Sequence, residues 1–564
     1  MIRKNNSQTN RIKIFFLFVL FMAAFGFIIY KLIYIQYIYA DKYKVQADYQ
    51  HEGDFTLKSR RGKIIDRNGI ELASSIVEKT ITANPKLIEN PTKAAEDIGK
   101  ILLLDKEELK QKLSDKNVGF LYIARKINSQ DANKIADLKL NGIYIEDESK
   151  RYYPQNDLAC TLIGFTGTDN IGLSGLELNY EEILRGIDGK QTAQKDVFGQ
   201  IIKTNTENYS PPIDGGDVIL TIDSQIQFYA EKKLKEVAEQ YQSGKAVAIL
   251  MNPKTGEIYA MAQYPAFDLN RYADVDPQKY SNLAISFNYE PGSTFKIVNI
   301  SSALENKCVN TNQVFHLSPS IKVGDRVIKE IYRTYPVDYT LKDIIKYSSN
   351  VGAVAVALSM GNKLYYDSII KYGFGNYTGV NLPGEEKGII ADYKKWPSST
   401  IGALAIGQSI SITPIQFIRA VSVIANGGYL ITPYVVSESR LSNGIIEKRE
   451  NTDKLQIISS QTAKELKDMM LSVVEDGTGK KAQIEGIKVC GKTGTAQKAN
   501  KGKPGYDEGL VITSFIGFAP YEDPEVACVV IIDEPKGNEE EIWGGTVAAP
   551  VFSDLVKFAL NKIH

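Results

Sequence analysis

The hydrophobic pattern of the chain begins with one long apolar segment near the N-terminus. Residues 14–30 read IFFLFVLFMAAFGFIIY without a charge, and apolar positions continue past Lys31 to residue 38. A helix needs about 20 apolar residues to cross a bilayer, so the pattern predicts a membrane anchor over 14–38. A cleaved signal peptide is the alternative, but the stretch is long for one, and IYA at its end is a poor cleavage site. Basic residues precede the segment and favour a cytoplasmic tail over 1–13, with the remaining chain outside: Arg3, Lys4, Arg11 and Lys13.

Beyond the anchor, the polar and apolar positions predict two soluble regions. Up to about residue 214, short strand-like and helical pieces alternate, with a hairpin at Asn68-Gly69. Helices are predicted over Ala94–Leu113 and within Gly172–Lys190, the latter ending in a Gly-rich loop. The stretch Ser210–Asp217, SPPIDGGD, is typical of a linker. A long continuous domain follows it to His564.

Composition excludes several classes of function. The chain has 564 residues, 43% hydrophobic, with 67 basic and 67 acidic side chains, which is an ordinary globular balance with no net charge. No basic field or aromatic-interleaved basic stripe points to nucleic acid. The four cysteines, Cys160, Cys308, Cys490 and Cys528, lack CxxC or zinc-ribbon spacing, so neither a disulfide framework nor a metal site is expected.

The tripeptide Lys-Thr-Gly occurs twice, in different contexts. The first copy, Lys254–Gly256, lies in NPKTGE between two strand-like runs. Asn, Pro and Gly favour turns, so this copy is predicted to be a hairpin tip. The second copy, Lys492–Gly494, lies within the strand pattern GIKVCGKTGTAQ, which predicts that Lys492 projects from a sheet edge or face.

A candidate nucleophile lies in YEPGSTFKIVNISSALEN, residues 289–306. Pro291-Gly292 breaks the chain, and a helix is predicted from Ser293 or just before it. Ser293 and Lys296 are three residues apart, so they share one helix face. Because the first helical N–H groups have no intrahelical partner, Ser293 would combine a nucleophile with an oxyanion donor. A second Ser-x-x-Lys, Ser368–Lys371, has no preceding Gly and is interpreted as an ordinary helix surface.

Histidine is the usual base for a serine nucleophile, but this chain has few histidines. Of His51, His316 and His564, only His316 could complete a Ser-His-Asp triad. Lysine is the favoured base, although free lysine has a pKa near ~10.4. Burial and a nearby second cation, such as Lys492, would both lower the pKa of Lys296.

A third element, IIKYSSNVGAVAVA, places Ser348 and Asn350 before a helix of small residues. The Ser348 hydroxyl could relay a proton and the Asn350 amide could hold a peptide carbonyl. Considered alone, the same residues would be interpreted as a turn and a helix cap.

Ser-x-x-Lys, Ser-x-Asn and Lys-Thr-Gly, in this order, are the signature of penicillin-recognising serine acyltransferases. With GVNLPGE, IGQSISITPIQ, SFIGFAP and GGTVAAPVF, the chain resembles class B penicillin-binding proteins, which are monofunctional peptidoglycan D,D-transpeptidases. RGKIIDRNGIELA, RYYP and GLSGLE resemble the N-terminal pedestal of that family. The resemblance implies an α+β fold with a pedestal (dimerisation-type) domain over 39–215 and a transpeptidase domain over 216–564. The latter would contain a five-stranded antiparallel sheet flanked by helices and an all-helical subdomain.

The resemblance also implies a role for each motif. Ser293 would attack the D-Ala–D-Ala bond of a stem peptide and Lys296 would take its proton. Ser348 would pass a proton to the leaving D-Ala, Asn350 would orient substrate and Lys296, and Lys492 would add positive potential. The remaining implied substrate-binding residues are Thr493, Gly494 and Thr495, with the N–H groups of Ser293 and Thr495 as the oxyanion hole.

The implied partners are stem peptides of lipid II-derived strands, β-lactams and a polytopic glycan-strand polymerase of the membrane, with no cofactor. A membrane-anchored β-lactamase or D,D-carboxypeptidase of the same fold and a catalytically idle wall-assembly scaffold remain alternatives. A β-lactamase needs a carboxylate for deacylation, whereas Glu385 and Glu386 fall in the Leu-Pro-Gly-Glu element. A bifunctional synthase is disfavoured, because the region before Val218 lacks the paired glutamates of a glycosyltransferase.

Cys490 precedes Lys492 by two positions, so both side chains are expected on one strand face. The favoured interpretation is a small buried core residue. The alternative is a thiol whose pKa is lowered by Lys492.

Overall fold

The apolar N-terminal segment forms helix α1, Asn6–Ile33, continued by a π-helical turn over Tyr34–Ile38, in the computed structural model. The span Asn10–Ile38 has 29 residues, and its most apolar stretch of 18 residues has a mean hydropathy of 2.7 and no buried residue. A helix of this length and composition fits a single-pass membrane anchor, as predicted.

The structure describes residues 6–42, 52–195, 201–331, 333–449, 454–500, 505–538 and 541–564. The chain forms two compact units. The first comprises the described residues within 1–59, 78–148 and 187–213, and the second those within 60–77, 149–186 and 214–564. The second unit therefore includes two segments from the predicted pedestal region, and the boundary at 215/216 stays a prediction.

The elements have the following bounds in chain order. The strands are β1 Glu52–Leu57, β2 Ile64–Ile65, β3 Glu71–Ala83, β4 Leu121–Ile127, β5 Ile143–Tyr152, β6 Gly189–Lys195, β7 Ile201–Ser210, β8 Asp217–Leu220, β9 Lys245–Met251, β10 Ile258–Tyr264, β11 Phe315–Leu317, β12 Ser320–Val323, β13 Arg326–Lys329, β14 Val337–Tyr339, β15 Tyr429–Ile431, β16 Val436–Arg440, β17 Ile446–Lys448, β18 Lys454–Gln456, β19 Cys490–Ala499, β20 Tyr506–Ala519 and β21 Val526–Asp533. The helices after α1 are α2 Pro91–Leu102, α3 Lys106–Ser114, α4 Ser129–Asp137, α5 Cys160–Ile163, α6 Gly175–Asn179, α7 Glu181–Leu184, α8 Ser224–Gln240, α9 Leu283–Ser286, α10 Lys296–Glu305, α11 Leu341–Lys346, α12 Asn350–Lys371, α13 Thr400–Ala405, α14 Pro414–Ala425, α15 Ser460–Glu475 and α16 Ala548–Ile563.

The first unit packs α2, α3 and α4 against the C-terminal half of β3 around a small core that includes Ile81, Ile98 and Leu113. Strands β1, β6 and β7 form a separate antiparallel sheet in this unit. The single helix predicted over Ala94–Leu113 is wrong, because it is two helices. The Asp105 side chain accepts the Glu108 N–H at 2.7 Å and starts α3 as a new helix.

The second unit is built on a five-stranded sheet of order β10-β9-β21-β20-β19, antiparallel throughout. This confirms the predicted sheet. Along β9, Val247 and Ile249 join the larger hydrophobic core, whereas Ala248 and Leu250 join a second core with α8 and α16. Because both faces are covered by helices, the strand reads as a continuous apolar run. Strand β19, which carries Lys492, lies at one edge of the sheet.

Two predicted turns are confirmed and one helix is not. Gly69, with φ of +87°, lies in the turn between β2 and β3, and Gly256, with φ of +84°, lies in the turn between β9 and β10. The first Lys-Thr-Gly is therefore a hairpin tip, where Lys254 Nζ pairs with Asp523 at 2.5 Å. The helix predicted within Gly172–Lys190 is instead the two short helices α6 and α7, followed by β6.

The pedestal-like motifs meet at a buried ionic cluster in the second unit. The Glu177 carboxylate accepts hydrogen bonds from Arg61 and Arg151, each at 2.6 Å, and all three side chains are at most 2% exposed. Arg61 also pairs with Glu181 at 2.6 Å. The charges of RGKIID, RYYP and GLSGLE thus neutralise one another inside the fold, so removing one partner leaves a buried charge unpaired.

We expect Glu177→Ala to destabilise the protein by about 3–5 kcal/mol, because two buried guanidinium groups lose their carboxylate. The midpoint of thermal unfolding of the detergent-purified chain measures this loss. Glu182→Ala, which removes an exposed carboxylate from α7, is the matched control and should leave the midpoint near wild type. Equal midpoints for the two variants would contradict the prediction.

Candidate active site

The Pro291-Gly292 break positions the predicted nucleophile. The chain enters a 3₁₀ turn over Gly292–Phe295 and continues into α10 at Lys296, so the α-helix starts three residues later than Ser293. Gly292 has φ of +59°, and a Cβ there would lie 3.0 Å from the Cβ of Ala496 on β19. Ser293 is partly exposed, and its Oγ accepts a hydrogen bond from Lys296 Nζ at 3.1 Å.

The Ser-x-Asn element completes the surroundings of the Lys296 amine. Lys296 Nζ lies 2.6 Å from the Ser348 carbonyl, 3.3 Å from Ser348 Oγ and 2.8 Å from Asn350 Oδ1. Ser348 has φ of +58°, a left-handed conformation that non-glycine residues adopt rarely. This conformation turns both oxygens of Ser348 toward the amine, immediately before the N-cap Ser349 of α12.

The second Lys-Thr-Gly reaches the same point from the sheet edge. Lys492 Nζ donates to Ser348 Oγ at 2.9 Å and to its neighbour's carbonyl, Thr493 O, at 3.0 Å. The Ser348 hydroxyl therefore lies between two amines, those of Lys296 and Lys492. The structure brings together all five side chains that the sequence predicted as catalytic: Ser293, Lys296, Ser348, Asn350 and Lys492.

Burial sets the acid–base properties of the two lysines, which are both 0% exposed. Burial lowers the pKa of Lys296 to about 7, and the Glu330 carboxylate acts in the opposite direction. Burial also lowers the pKa of Lys492 well below its ordinary value, and the charge of Lys296 lowers it further. The expected fall in the Lys296 pKa is present, but it comes from burial, and the repulsion between the two cations lowers the Lys492 pKa instead.

Two of the three predicted substrate-binding residues, Thr493 and Thr495, line the cleft around Ser293. Thr493 and Thr495 line a cavity of about 340 Å³ that also contains Ser293 and Ser348. Ser293 and Thr495 line a second cavity, of about 420 Å³, together with Arg326 and Gln408. At Gly494, a Cβ would lie 2.4 Å from Ser514 Oγ and 2.9 Å from Thr294 Cγ2, so a side chain there would collide with the turn that carries Ser293. The glycine therefore allows β19 to pack closely against the Ser293 turn.

The contacts of His316, Ser368 and Glu385 test the other interpretations of the sequence. His316 is 81% exposed and pairs with Asp338 at 2.5 Å, whereas a lysine occupies the place beside Ser293. Ser368 is buried, not on the helix surface as predicted, and its hydroxyl donates to the Leu364 carbonyl. Glu385 accepts from Thr378 N and Oγ1, so this carboxylate caps a turn.

The Cys490 thiol is a core group. Cys490 is 0% exposed, its thiol donates to the Lys467 carbonyl at 3.4 Å, and burial raises its pKa. The alternative of a lowered pKa is wrong. Within the part of the chain that the structure describes, no group of three or more His, Cys, Asp or Glu side chains could hold a metal ion.

The sequence reasoning missed Glu330, which follows β13 and lines the cavity beside Ser293. Its carboxylate accepts from Ser349 Oγ at 2.6 Å and from the N–H groups of Asn350 and Val351 at 3.2 and 3.0 Å. No short motif marks this residue. Its charge does not single it out either, because four other acidic residues lie between the first two motifs: Glu305, Asp325, Asp338 and Asp343.

Comparisons with known proteins agree with this site. Residues 246–557 match the model of the penicillin-binding protein transpeptidase domain, and residues 56–220 match that of the penicillin-binding protein dimerisation domain. Stage V sporulation protein D of Bacillus subtilis is 35% identical over 557 residues, covering 97% of this chain and 85% of that relative. Peptidoglycan D,D-transpeptidase FtsI of Buchnera aphidicola is 33% identical over 540 residues, covering 94% and 92% of the two chains.

Solved structures show the same fold. Penicillin-binding protein 3 of Mycobacterium tuberculosis, complexed with aztreonam, superposes with a TM-score of 0.71 at 26% identity over 90% of this chain and 97% of that one. Penicillin-binding protein 2X of Streptococcus thermophilus gives a TM-score of 0.72 at 26% identity over 91% of this chain and 80% of that one. With the three motifs converging on one serine, this chain belongs to the penicillin-binding protein transpeptidase family and has the two-domain class B fold.

Proposed function

We propose that this chain is a peptidoglycan D,D-transpeptidase that forms its acyl-enzyme on Ser293 and is acylated there by β-lactams. The observation that carries the assignment is the 3.1 Å contact between the buried Lys296 amine and Ser293 Oγ, at the meeting point of all three motifs. A lysine with a pKa of about 7 can act as a base at neutral pH, which an ordinary lysine cannot. The relative FtsI carries this activity in its name, peptidoglycan D,D-transpeptidase, and supports the proposal.

The geometry supports the following acylation step. Neutral Lys296 takes the proton from Ser293 Oγ as that oxygen attacks the carbonyl of the penultimate D-Ala. The N–H groups of Ser293 and of Thr495, on edge strand β19, would stabilise the oxyanion. Ser348 Oγ, between the two lysine amines, then delivers its proton to the leaving D-Ala nitrogen as the peptide bond breaks. Ser348 takes in return the proton that Lys296 received from Ser293, so that Lys296 is neutral again.

The second half-reaction reverses these transfers. An amine of a neighbouring stem peptide attacks the acyl carbonyl and loses a proton to the Ser348–Lys296 pair. The bond to Ser293 Oγ breaks, Oγ regains its proton, and the crosslink is formed. Asn350 would hold the Lys296 amine and a substrate carbonyl, and Lys492 would add positive potential. Thr493 or Thr495, which both line the cavity beside Ser293, would bind the terminal carboxylate.

We also propose a role and a location for each region of the chain. Residues 14–38 would anchor the chain with residues 1–13 in the cytoplasm, 39–215 would be the pedestal, and 216–564 would be the extracytoplasmic catalytic domain. The apolar residues 14–30 of α1 suit a helix that contacts lipid or another membrane helix. Docking of the pedestal and anchor on a polytopic glycan-strand polymerase is the partnership that the family resemblance implies.

Fluorescent penicillin should label the wild type and Ser368→Ala but not Ser293→Ala. The Ser293 hydroxyl contacts the Lys296 amine, which shares Ser348 with Lys492, whereas the Ser368 hydroxyl donates to the Leu364 carbonyl of its own helix. Lys492→Ala should slow labelling by about 100-fold, while Lys254→Ala, at the hairpin tip, should label near the wild-type rate. Gel fluorescence over time measures both pairs. Labelling of Ser293→Ala would refute the assignment of the nucleophile. Equal labelling rates for Lys492→Ala and Lys254→Ala would show that Lys492 has no role in acylation.

The rate of penicillin acylation should rise with pH through about 7, the pKa of Lys296. The sign follows from the chemistry, because the base works only when neutral and is protonated below its pKa. Below about pH 6 the rate should fall about tenfold per pH unit. Stopped-flow acylation across this range tests it, and a rate independent of pH would exclude Lys296 as the base.

Exchanging residues 1–42 for an unrelated single-pass anchor of the same orientation should separate topology from partner binding. In wall-stripped cells, external protease should remove the large domain from both proteins, because both would lie outside the membrane. The polymerase should co-purify with the native chain alone. A protected large domain would refute the orientation, and co-purification that survives the exchange would refute docking through the anchor.

A further inference from the structure

Glu330 connects the Ser-x-Asn motif to a neighbouring loop. Its carboxylate receives three hydrogen bonds at the start of α12, from Ser349 Oγ, Asn350 N and Val351 N. The side chain is 8% exposed and pairs with Arg333 at 3.3 Å. In the same segment, the Lys329 carbonyl accepts from Asn350 Nδ2 at 3.2 Å.

These contacts leave the Ser-x-Asn segment little freedom. The Asn350 amide is held at one end by the Lys329 carbonyl and at the other by Lys296 Nζ, which donates to Oδ1 at 2.8 Å. Ser348, in its left-handed conformation, precedes the pinned Ser349 directly. A carboxylate at a helix N-terminus is favoured by the helix dipole and by the free N–H groups, so Glu330 can fix this point firmly.

We propose that Glu330 is a positioning residue of the transpeptidase, which holds Ser348 and Asn350 in register with Lys296 and supplies the negative charge that faces the Lys296 amine. The proposal rests on the proposed function, because it assigns a role relative to the Lys296 base. Glu330 touches the Ser-x-Asn backbone and not Ser293, so it acts through Ser348, Asn350 and Lys296.

The charge environment of Lys296 gives this role a distinctive readout. Among the residues that the structure describes, Glu330 and Lys492 are the ionisable groups that interact electrostatically with Lys296. Arg333 pairs with Glu330, and Lys329, Lys480 and Lys481 line the outer cleft. Glu330 raises the pKa of Lys296 against the effect of burial. Removing its charge should therefore lower that pKa and move the acylation profile toward acid, which loosened packing alone would not do.

The test compares Glu330→Gln with Glu305→Gln. Glu305 also caps a helix, since its carboxylate accepts from Ser459 N at 2.8 Å and from Thr462 Oγ1 at 2.7 Å at the start of α15. It does not act on the charge of Lys296 or Lys492. Penicillin acylation of the full chain in detergent is measured by stopped flow across pH. Glu330→Gln should shift the midpoint of the profile about 1 pH unit toward acid and lower the plateau rate about tenfold. Glu305→Gln should keep the wild-type midpoint and plateau.

A wild-type midpoint and plateau for Glu330→Gln would overturn the proposal while leaving Ser293 and the transpeptidase assignment intact. Labelling that survives in Ser293→Ala would instead overturn the proposed function. If Glu330→Gln fails to fold, Glu330→Asp decides the matter, because it keeps the charge on a shorter stem. It should retain the midpoint and lose part of the plateau rate, and a full wild-type plateau for Glu330→Asp would also overturn the proposal.

Discussion

A lysine amine with no solvent access is the constraint around which this site is organised. An isolated ammonium inside a protein is too costly to persist, so it must be surrounded by acceptors, lose its proton, or both. Lys296 does both: its amine has four oxygen neighbours, from Ser293, Ser348 and Asn350, and burial lowers its pKa to about 7. Those neighbours come from segments far apart in sequence, so they surround the amine only when the fold is complete.

The sheet edge is subject to the same constraint. Lys492 is also fully buried, and its amine shares the Ser348 hydroxyl with Lys296. Both lysines have lowered pKa values, because both are buried and because the charge of Lys296 further disfavours that of Lys492. Close packing of β19 against the Ser293 turn, which Gly292 and Gly494 permit, therefore has a chemical consequence: it brings the Lys492 amine to the same hydroxyl that Lys296 contacts.

Sequence reasoning found the parts of this site that lie in short motifs. Ser293 and Lys296, a turn apart, could be identified from spacing, and the interrupted strand pattern distinguished Lys492 from Lys254. The predictions that failed depended on contacts with residues distant in sequence, or on a helix cap that ends one helix and starts another. The helix over 94–113 breaks because Asp105 caps a new helix, and Ser368 is buried by packing that its helical pattern does not encode. Glu330 was missed because its partners lie 19 to 21 residues away and are defined only by the fold.

The placement of Glu330 explains how a carboxylate can stand near the base without undoing the effect of burial. A buried carboxylate beside Lys296 with no other partner would stabilise the protonated amine and restore an ordinary lysine pKa. The Glu330 carboxylate already accepts hydrogen bonds from Ser349 Oγ and two backbone N–H groups, and it forms an ion pair with Arg333. Its pull on Lys296 is therefore partial, and burial remains the larger effect. In the proposed mechanism, this residual pull keeps the amine from becoming too weak a base to accept the Ser293 proton, since basicity falls with pKa.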